Sequence, residues 1–291
     1  MKQIGILYDE MHSLIENVAR EIESKGGTVT FIHYTQLLFD FDSIGLLEDF
    51  SVLYLDRLGE GTQGYTTQLM LLSESRMAHT SVLIVNSPAA YQVARNKALM
   101  YQALSKGNVR IPSAEVAYSI KQVERFLNKQ SFGSVVVKSL FGHSAEEVYI
   151  FPNAPCLQPI EAVLARDGMV VVQQYVARKN RFIWRLDIVD GVVVAGSKDY
   201  AYNDDEELPM CNATQGGLSD KCSVGDIPAD IVGCAIDAAN TLGLVVAGVD
   251  LIVDDHGVNY IVEVNPEPDA MGCGRLETAI ADYLISKNRG R

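Results

Sequence analysis

The chain has 291 residues, 48% hydrophobic and 21% charged, which suits two or more subdomains with shared interfaces. A net charge of −13 speaks against nucleic acid or an anionic membrane as partners of the whole surface, and no apolar run approaches the ~20 residues that a bilayer requires. Five scattered cysteines (Cys156, Cys211, Cys222, Cys234, Cys273), with no CxxC and no signal-peptide pattern at the start, predict reduced thiols and a cytoplasmic location.

In chain order, "QIGILY" reads as a buried strand. Leu14, Ile15, Val18, Ala19 and Ile22 give residues 11–25 helical spacing that stops at Gly26-Gly27. "TVTFIHY" and "SVLYLD" are strands, 65–78 a helix and "SVLIVN" a strand. These β-α-β units predict an α/β domain over 1–95, with a parallel sheet covered on both faces. "SPAAYQVARNKALMYQALSKGN" reads as one helix with Ser87 as N-cap and Pro88 at its first position. An extended "VRIPSAEVA", an amphipathic helix "SIKQVERFLNKQ", strands "GSVVVKSL" and "VYIF", a helix at 158–166 and a strand "MVVVQQYV" make an α+β unit over 96–175. A second α+β unit, 176–291, starts with the hairpin "FIWRLDIV-DG-VVVAGSKDY" and continues through the polar, unperiodic 203–217. A helix at 228–242, a second hairpin and a helix near 274–286 complete it.

That second hairpin, "GVDLIVDDHGVNYIVEVNPEPD", carries the chemistry. Asp250, Glu263 and Asn265 sit among Val, Leu and Ile. Alternation puts Glu263 and Asn265 on one face with Ile261. A turn of two or four residues would set Asp250 opposite Ile261, on that face and diagonal to Glu263. A three-residue turn would set it opposite Val262, on the other face. In the first case two carboxylates and an amide oxygen converge within about 7–8 Å. Two close anions on a half-buried face repel and are costly to desolvate, and a divalent cation relieves both costs. Oxygen-only donors with room for water and phosphate suit Mg²⁺.

Lys138 stands in the apolar strand "SVVVKSL", either as an edge residue snorkelling into water or as a fixed charge facing a phosphate. The loop after it, "FGHSAEE", offers backbone N–H groups to anionic oxygens. Lys97 lies in "ARNKAL", on a solvated helix face or turned to the same ligand. "VVVQQYV" ends in a strand exit whose backbone can read an adenine edge. "RLGEGTQG" at 57–64 lacks a P-loop ending and reads as a flexible substrate-side loop. "LYDEMHS" after the first strand is no dinucleotide fingerprint, which excludes a nicotinamide-dependent oxidoreductase.

The order and spacing of "VNSPAAYQVARNKALMYQAL", "VVVKSLFGHS", "VVVQQYV" and "AGVDLIVDDHGVNYIVEVNPEP" resemble the ATP-grasp superfamily. The chain is most similar to the branch of ribosomal-protein glutamate ligases (RimK-like) and the ligases acting on tetrahydromethanopterin and on the deazaflavin coenzyme. The resemblance implies a preATP-grasp domain followed by two subdomains holding ATP between them. It implies that Lys97, Lys138 and Ser144 contact ATP phosphates, with Asn212 nearby, and that Gln174 and the Tyr175-Val176 backbone hold adenine. It further implies that Asp250, Glu263 and Asn265 bind two Mg²⁺ (or Mn²⁺), that Arg185 and Lys198 serve catalysis, and that Arg57 faces the acceptor. The implied reaction joins a small-molecule or peptide carboxylate to an amino acid such as L-glutamate through an acyl phosphate. A ligase for another amino acid, or an ATP-binding regulator with altered catalysis, stands as the alternative; a homo-oligomer is compatible with either. The sequence departs from the pattern at its single-glycine "FGHSAEE", at Ile183 in place of an aspartate, and at Met210, Thr214 and Gln215 where relatives carry Arg and His.

Overall fold

The computed structural model describes residues 3–36, 50–57, 82–129, 134–140, 148–152, 157–201, 218–268 and 275–289. The helix expected at 65–78, the loops 141–147 and 203–217, and with them Ser144 and Asn212, lie outside these residues.

Three sheets follow one another along the chain. The first is parallel, in the order β2-β1-β3-β4, from β1 (Gln3–Tyr8), β2 (Val29–His33), β3 (Phe50–Asp56) and β4 (Leu83–Val85). Its central strands β1 and β3 are mostly apolar and buried because both faces are covered. The buried stripe of α1 (Ser13–Ser24), namely Leu14, Ile15, Val18, Ala19 and Ile22, packs on Ile4, Ile6, Val52 and Tyr54. On the opposite face Leu7, Leu53 and Leu55 meet Tyr91 of α2 (Pro88–Arg95).

The expected single helix after Ser87 is two. It breaks at Asn96, whose extended backbone (φ −102°, ψ 108°) ends α2 and whose side chain accepts from the N–H groups of Ala98 and Leu99. That N-cap starts α3 (Lys97–Lys106) in a new direction. The buried stripe of α3 is Lys97, Met100, Tyr101 and Leu104, at i, i+3, i+4 and i+7.

The second sheet is antiparallel, in the order β5-β8-β6-β7. Its strands are β5 (Ala114–Ala117), β6 (Ser134–Lys138), β7 (Val148–Pro152) and β8 (Val170–Gln174). One face holds Val135, Val137, Val170 and Val172 against Val123 and Phe126 of α4 (Ile120–Lys129) and Ile160 and Val163 of α5 (Gln158–Asp167). By alternation the other face carries Val136, Lys138, Val171 and Gln173.

The third sheet runs β11-β10-β9-β12-β13. It contains β9 (Phe182–Val189), β10 (Val192–Tyr200), β11 (Ser219–Cys222), β12 (Val246–Val253) and β13 (Asn259–Asn265). The short β11 has no apolar alternation to announce it. α6 (Ala229–Leu242) packs on one face, against Trp184, Leu186, Val249, Leu251, Ile261 and Val264. On the other face Val189 and Val246 pack with Leu276, Ile280 and Leu284 of α7 (Arg275–Arg289), which joins this sheet to the first. The remainder of that face is polar. α3 lies along the edge of β13, where Met100 Sδ meets the Val264 N–H and Tyr101 reaches the Val262 carbonyl. It covers an otherwise open strand edge.

Candidate active site

The β12-β13 register settles where the hairpin oxygens point. Val253 pairs with Asn259, so the turn is five residues long. That odd length alone would put Asp250 opposite Val262. A bulge between Asp250 and Leu251 adds one residue, and Asp250 pairs directly with Glu263 while Leu251 pairs with Ile261. The expected sharing of a face by Ile261 and Glu263 is therefore corrected. Ile261 and Val264 enter the core, and Glu263 and Asn265 face the other way with Asp250. Val262 is the extra residue, and its carbonyl is satisfied by the Tyr101 hydroxyl at 2.6 Å.

The same register builds a straight row across all five strands: Lys221, Ser197, Arg185, Asp250, Glu263. One step away lies the row Ala195, Asp187, Gly248, Asn265. At Gly248 a Cβ would stand 3.2 Å from Pro268 Cβ, tighter than ordinary contact, so the absence of a side chain eases the close approach of this segment. The chain after β13, "NPEP", can thus fold back over the sheet.

Cations close the row at its far end. Lys97 Nζ is 3.1 Å from Glu263 Oε1, and only 9% of the lysine side chain is exposed. It belongs to the buried stripe of α3, not to a solvated face. Lys138 is also buried, on a strand flanked by β7 and β8, so it is no edge residue. Its ammonium donates to Tyr101 Oη at 3.0 Å, and that hydroxyl is 2.7 Å from Gln173 Oε1. Arg185 Nε stands 3.9 Å from Asp250 Oδ1, an ion pair without a hydrogen bond.

The two carboxylates are driven apart electrostatically. Burial pushes Asp250 up to about 7; Arg185 opposes this, and Glu263 and Asp199 add to it. Burial pushes Glu263 upward too, but Lys97 and Lys138, with the Lys97 hydrogen bond and Arg185, outweigh it and hold the group below its ordinary value. Burial lowers the Lys138 ammonium, offset in part by Glu263 and Asp250. Asp250 Oδ1 is buried and has no hydrogen-bond partner among the described residues. A buried oxygen without a donor, beside a second carboxylate and an amide, fits a hard divalent cation such as Mg²⁺. Among the described residues no group of three or more His, Cys, Asp or Glu is placed to hold a metal; the oxygens that share this face are those of Asp250, Glu263 and Asn265.

Lys198 is not brought into this group. It pairs with Trp184, on the face opposite Arg185, and its ammonium lies 5.2 and 5.5 Å from the Trp184 and Phe182 ring centres. Strand alternation is the reason, since Lys198 is one residue from Ser197 and Asp199, which do face the site. Gln174, Tyr175 and Val176 form the exit from β8. The N–H groups of Gln174 and Tyr175 donate to the Ser113 and Ser134 carbonyls, and Val176 is buried. Arg57 follows β3 in the left-handed region (φ 48°), at the C-terminal end of the parallel strands. Nearby, His12 Nε2 is 2.6 Å from Asp56 and Arg95 pairs with Glu267 at 2.8 Å. The sequence reading missed four members of the polar face, Asp187, Ser197, Asp199 and Lys221; strict alternation from Arg185 and its hairpin partner Ser197 would have found Asp187 and Asp199.

The sequence matches the RimK-like ATP-grasp domain over residues 94–287. It is 30% identical over 211 residues to a tetrahydromethanopterin:alpha-L-glutamate ligase of Methanocaldococcus jannaschii, covering 70% of this chain and 69% of that one. Its fold is similar to that of the D-cycloserine synthetase DcsG (TM-score 0.72, 18% identity, 97% and 99% of the two chains). It is also similar to that of the ATP-grasp ligase PsnB solved with a minimal precursor, Mg and ADP (TM-score 0.66, 15% identity, 98% of each). A parallel sheet, two antiparallel sheets and an acidic pair between lysines are thus joined to a sequence match over two thirds of the chain, and the protein belongs to the RimK-like ATP-grasp family of ligases.

Proposed function

We propose that the chain is an ATP-dependent carboxylate–amine ligase. It would add an amino acid, L-glutamate in the first instance, to a small-molecule or peptide carboxylate through an acyl phosphate. The observation that carries this reading is the row Arg185-Asp250-Glu263, closed by Lys97 and faced by Lys138. It is an acidic pair ringed by buried cations, between two sheets.

Asp250, Glu263 and Asn265 would hold Mg²⁺, which when bound offsets the charge of the phosphate oxygens. Lys97 and Lys138 donate to the same oxygens from fixed positions, Lys138 held by the Tyr101 hydroxyl. Arg185 stabilises charge as the γ-phosphoryl group passes to the acceptor carboxylate. Gln174, Tyr175 and Val176 line the adenine at the exit of β8, and Arg57 orients the acceptor at the end of the first sheet. Ser144 and Asn212 keep the phosphate roles that the resemblance implies. No protein nucleophile is required, because orientation and charge lower the barrier.

The test is ADP release with Mg²⁺ and ATP across a matrix of pterin, deazaflavin and peptide carboxylates against amino acids. Release requiring one acceptor–amine pair is expected. Glu263→Gln abolishes it with the fold intact, and a folded variant with undiminished turnover overturns the assignment. Tight ATP binding without turnover for any pair would replace the ligase by a nucleotide-binding regulator.

A further inference from the structure

The ATP-binding reading makes no use of two buried carboxylates on the polar face of the third sheet, Asp187 and Asp199, and the second is held by hydroxyls. Asp199 is 3% exposed and pairs with Ser219 on one side and Ile183 on the other. It therefore points to the same face as Ser197 and Arg185. Its Oδ1 accepts hydrogen bonds from Ser197 Oγ at 2.8 Å and Ser219 Oγ at 2.7 Å. Among the described residues both its hydrogen bonds come from neutral hydroxyls.

Two hydroxyls orient a carboxylate but do not neutralise it, and a buried charge is costly without a counter-charge. A face serving phosphates alone would carry a cation here, since an anion repels the nucleotide. It is separated from the Asp250-Glu263 pair by β9 and still close enough to push Asp250 upward. What it fits is a ligand group that is positive, compact and rich in donors. On the ligase reading, which this inference deepens and on which it rests, one substrate brings such a group. We propose that Asp199, held by Ser197 and Ser219, receives the ammonium group of the amino-acid co-substrate and selects a primary amine as second substrate.

The test uses the full chain loaded with Mg²⁺ and the non-hydrolysable ATP analogue AMP-PNP. Binding of each of the twenty amino acids is measured by calorimetry, together with the 2-hydroxy acid analogue of the one that binds best. Asp199→Asn is expected to weaken that amino acid by at least 30-fold, to leave the hydroxy acid within about 2-fold, and to leave AMP-PNP affinity undiminished, since the substitution removes a charge that repels the nucleotide. Ser219 is exposed, so Ser219→Ala keeps the fold; it weakens the amino acid about 3- to 10-fold. Equal losses for amino acid and hydroxy acid would overturn the proposal, as would amino-acid binding unchanged in both variants or binding of no amino acid by the wild-type chain. Loss of one bound Mn²⁺ per chain in Asp199→Asn would make the residue a metal ligand and likewise overturn it. If the wild-type chain fails to bind Mg²⁺–AMP-PNP, the ligase reading itself falls; intact nucleotide binding with amino-acid binding unchanged in both variants removes only the role of Asp199.

Discussion

Asp250 and Glu263 are neighbours across one pair of strands, yet they differ in how easily they ionise. Glu263 has Lys97 at 3.1 Å, whereas the cation paired with Asp250 is Arg185 at 3.9 Å, without a hydrogen bond. Asp250 rises from 3.8 to about 7 on folding. The folded state then binds the extra proton between those values, so its stabilising contribution is complete below about pH 4 and is lost as pH rises through about 7. The ceiling on that loss is about 4 kcal/mol, because each pH unit between the two values is worth about 1.4 kcal/mol. Asp250→Asn, which never ionises, should match the wild type in Tm at about pH 3.5 and exceed it by several degrees at pH 8, both without metal or nucleotide. Mg²⁺–ATP should reverse the order at pH 8, because only the wild type keeps the carboxylate. A variant less stable than wild type at pH 8 without ligand would contradict the burial argument. That these residues bear chemistry was legible in the sequence, since acids on apolar strands are conspicuous. Their ionisation was not, because it depends on which cation each one touches.

At the scale of elements, the bulge at Val262 decides which residues form the site. "NYIVEVN" looks like uninterrupted alternation, and nothing in its composition marks an extra residue. Ile261 and Val264 are both core, three apart, and that spacing requires the irregularity. Tyr101 stabilises it, linking the Val262 carbonyl, Gln173 and Lys138 through one hydroxyl. Tyr101→Phe leaves the Val262 carbonyl without this donor and Lys138 without this oxygen. It should cost about 1–3 kcal/mol in urea unfolding and weaken ATP about tenfold or more. Deleting Val262 should spare the site: regular pairing returns with Leu251 still opposite Ile261 and Asp250 still opposite Glu263, so Ile261 stays in the core and Glu263 stays beside Asp250. The folded deletion variant should keep Mg²⁺-dependent nucleotide binding, losing no more than Tyr101→Phe does, and complete loss of that binding would contradict this register. The break at Asn96 was readable by contrast: an asparagine just before a helical stripe is an N-cap signal, and it was masked only by apolar periodicity continuing on both sides.

Across the whole molecule, the three sheets are joined unequally. The first and third share the core of α1, α7, Val189 and Val246, and Asn86 pins them together. Its amide donates to the Val246 and Pro266 carbonyls and accepts from the Val245 and Val246 N–H groups, with no exposed surface. It pairs with Val246 much as another strand would, and it also fixes the start of the segment that follows β13. The second sheet has its own core with α4 and α5, and meets the third through Tyr101, Lys138, Gln173 and the connection from β8 to β9. Lys179 N–H crosses that connection to the Val253 carbonyl. The parallel sheet and the order of units were legible from periodicity, but the lobe-to-lobe pin was not, because an asparagine after "LIV" reads as a strand end. Asn86→Ala strips four hydrogen bonds from buried groups and should cost about 3–5 kcal/mol, among the largest single-residue effects. Phe126→Ala should cost a similar amount by opening a cavity, but within the second sheet. Hydrogen exchange separates the two. In Phe126→Ala, amides of β6 and β8 should exchange faster while β1 and β3 keep their protection; in Asn86→Ala, β1, β3, β9 and β12 should lose protection together. Uniform loss in both variants would mean that the sheets unfold as one unit, and that the cleft between them opens only with the whole fold.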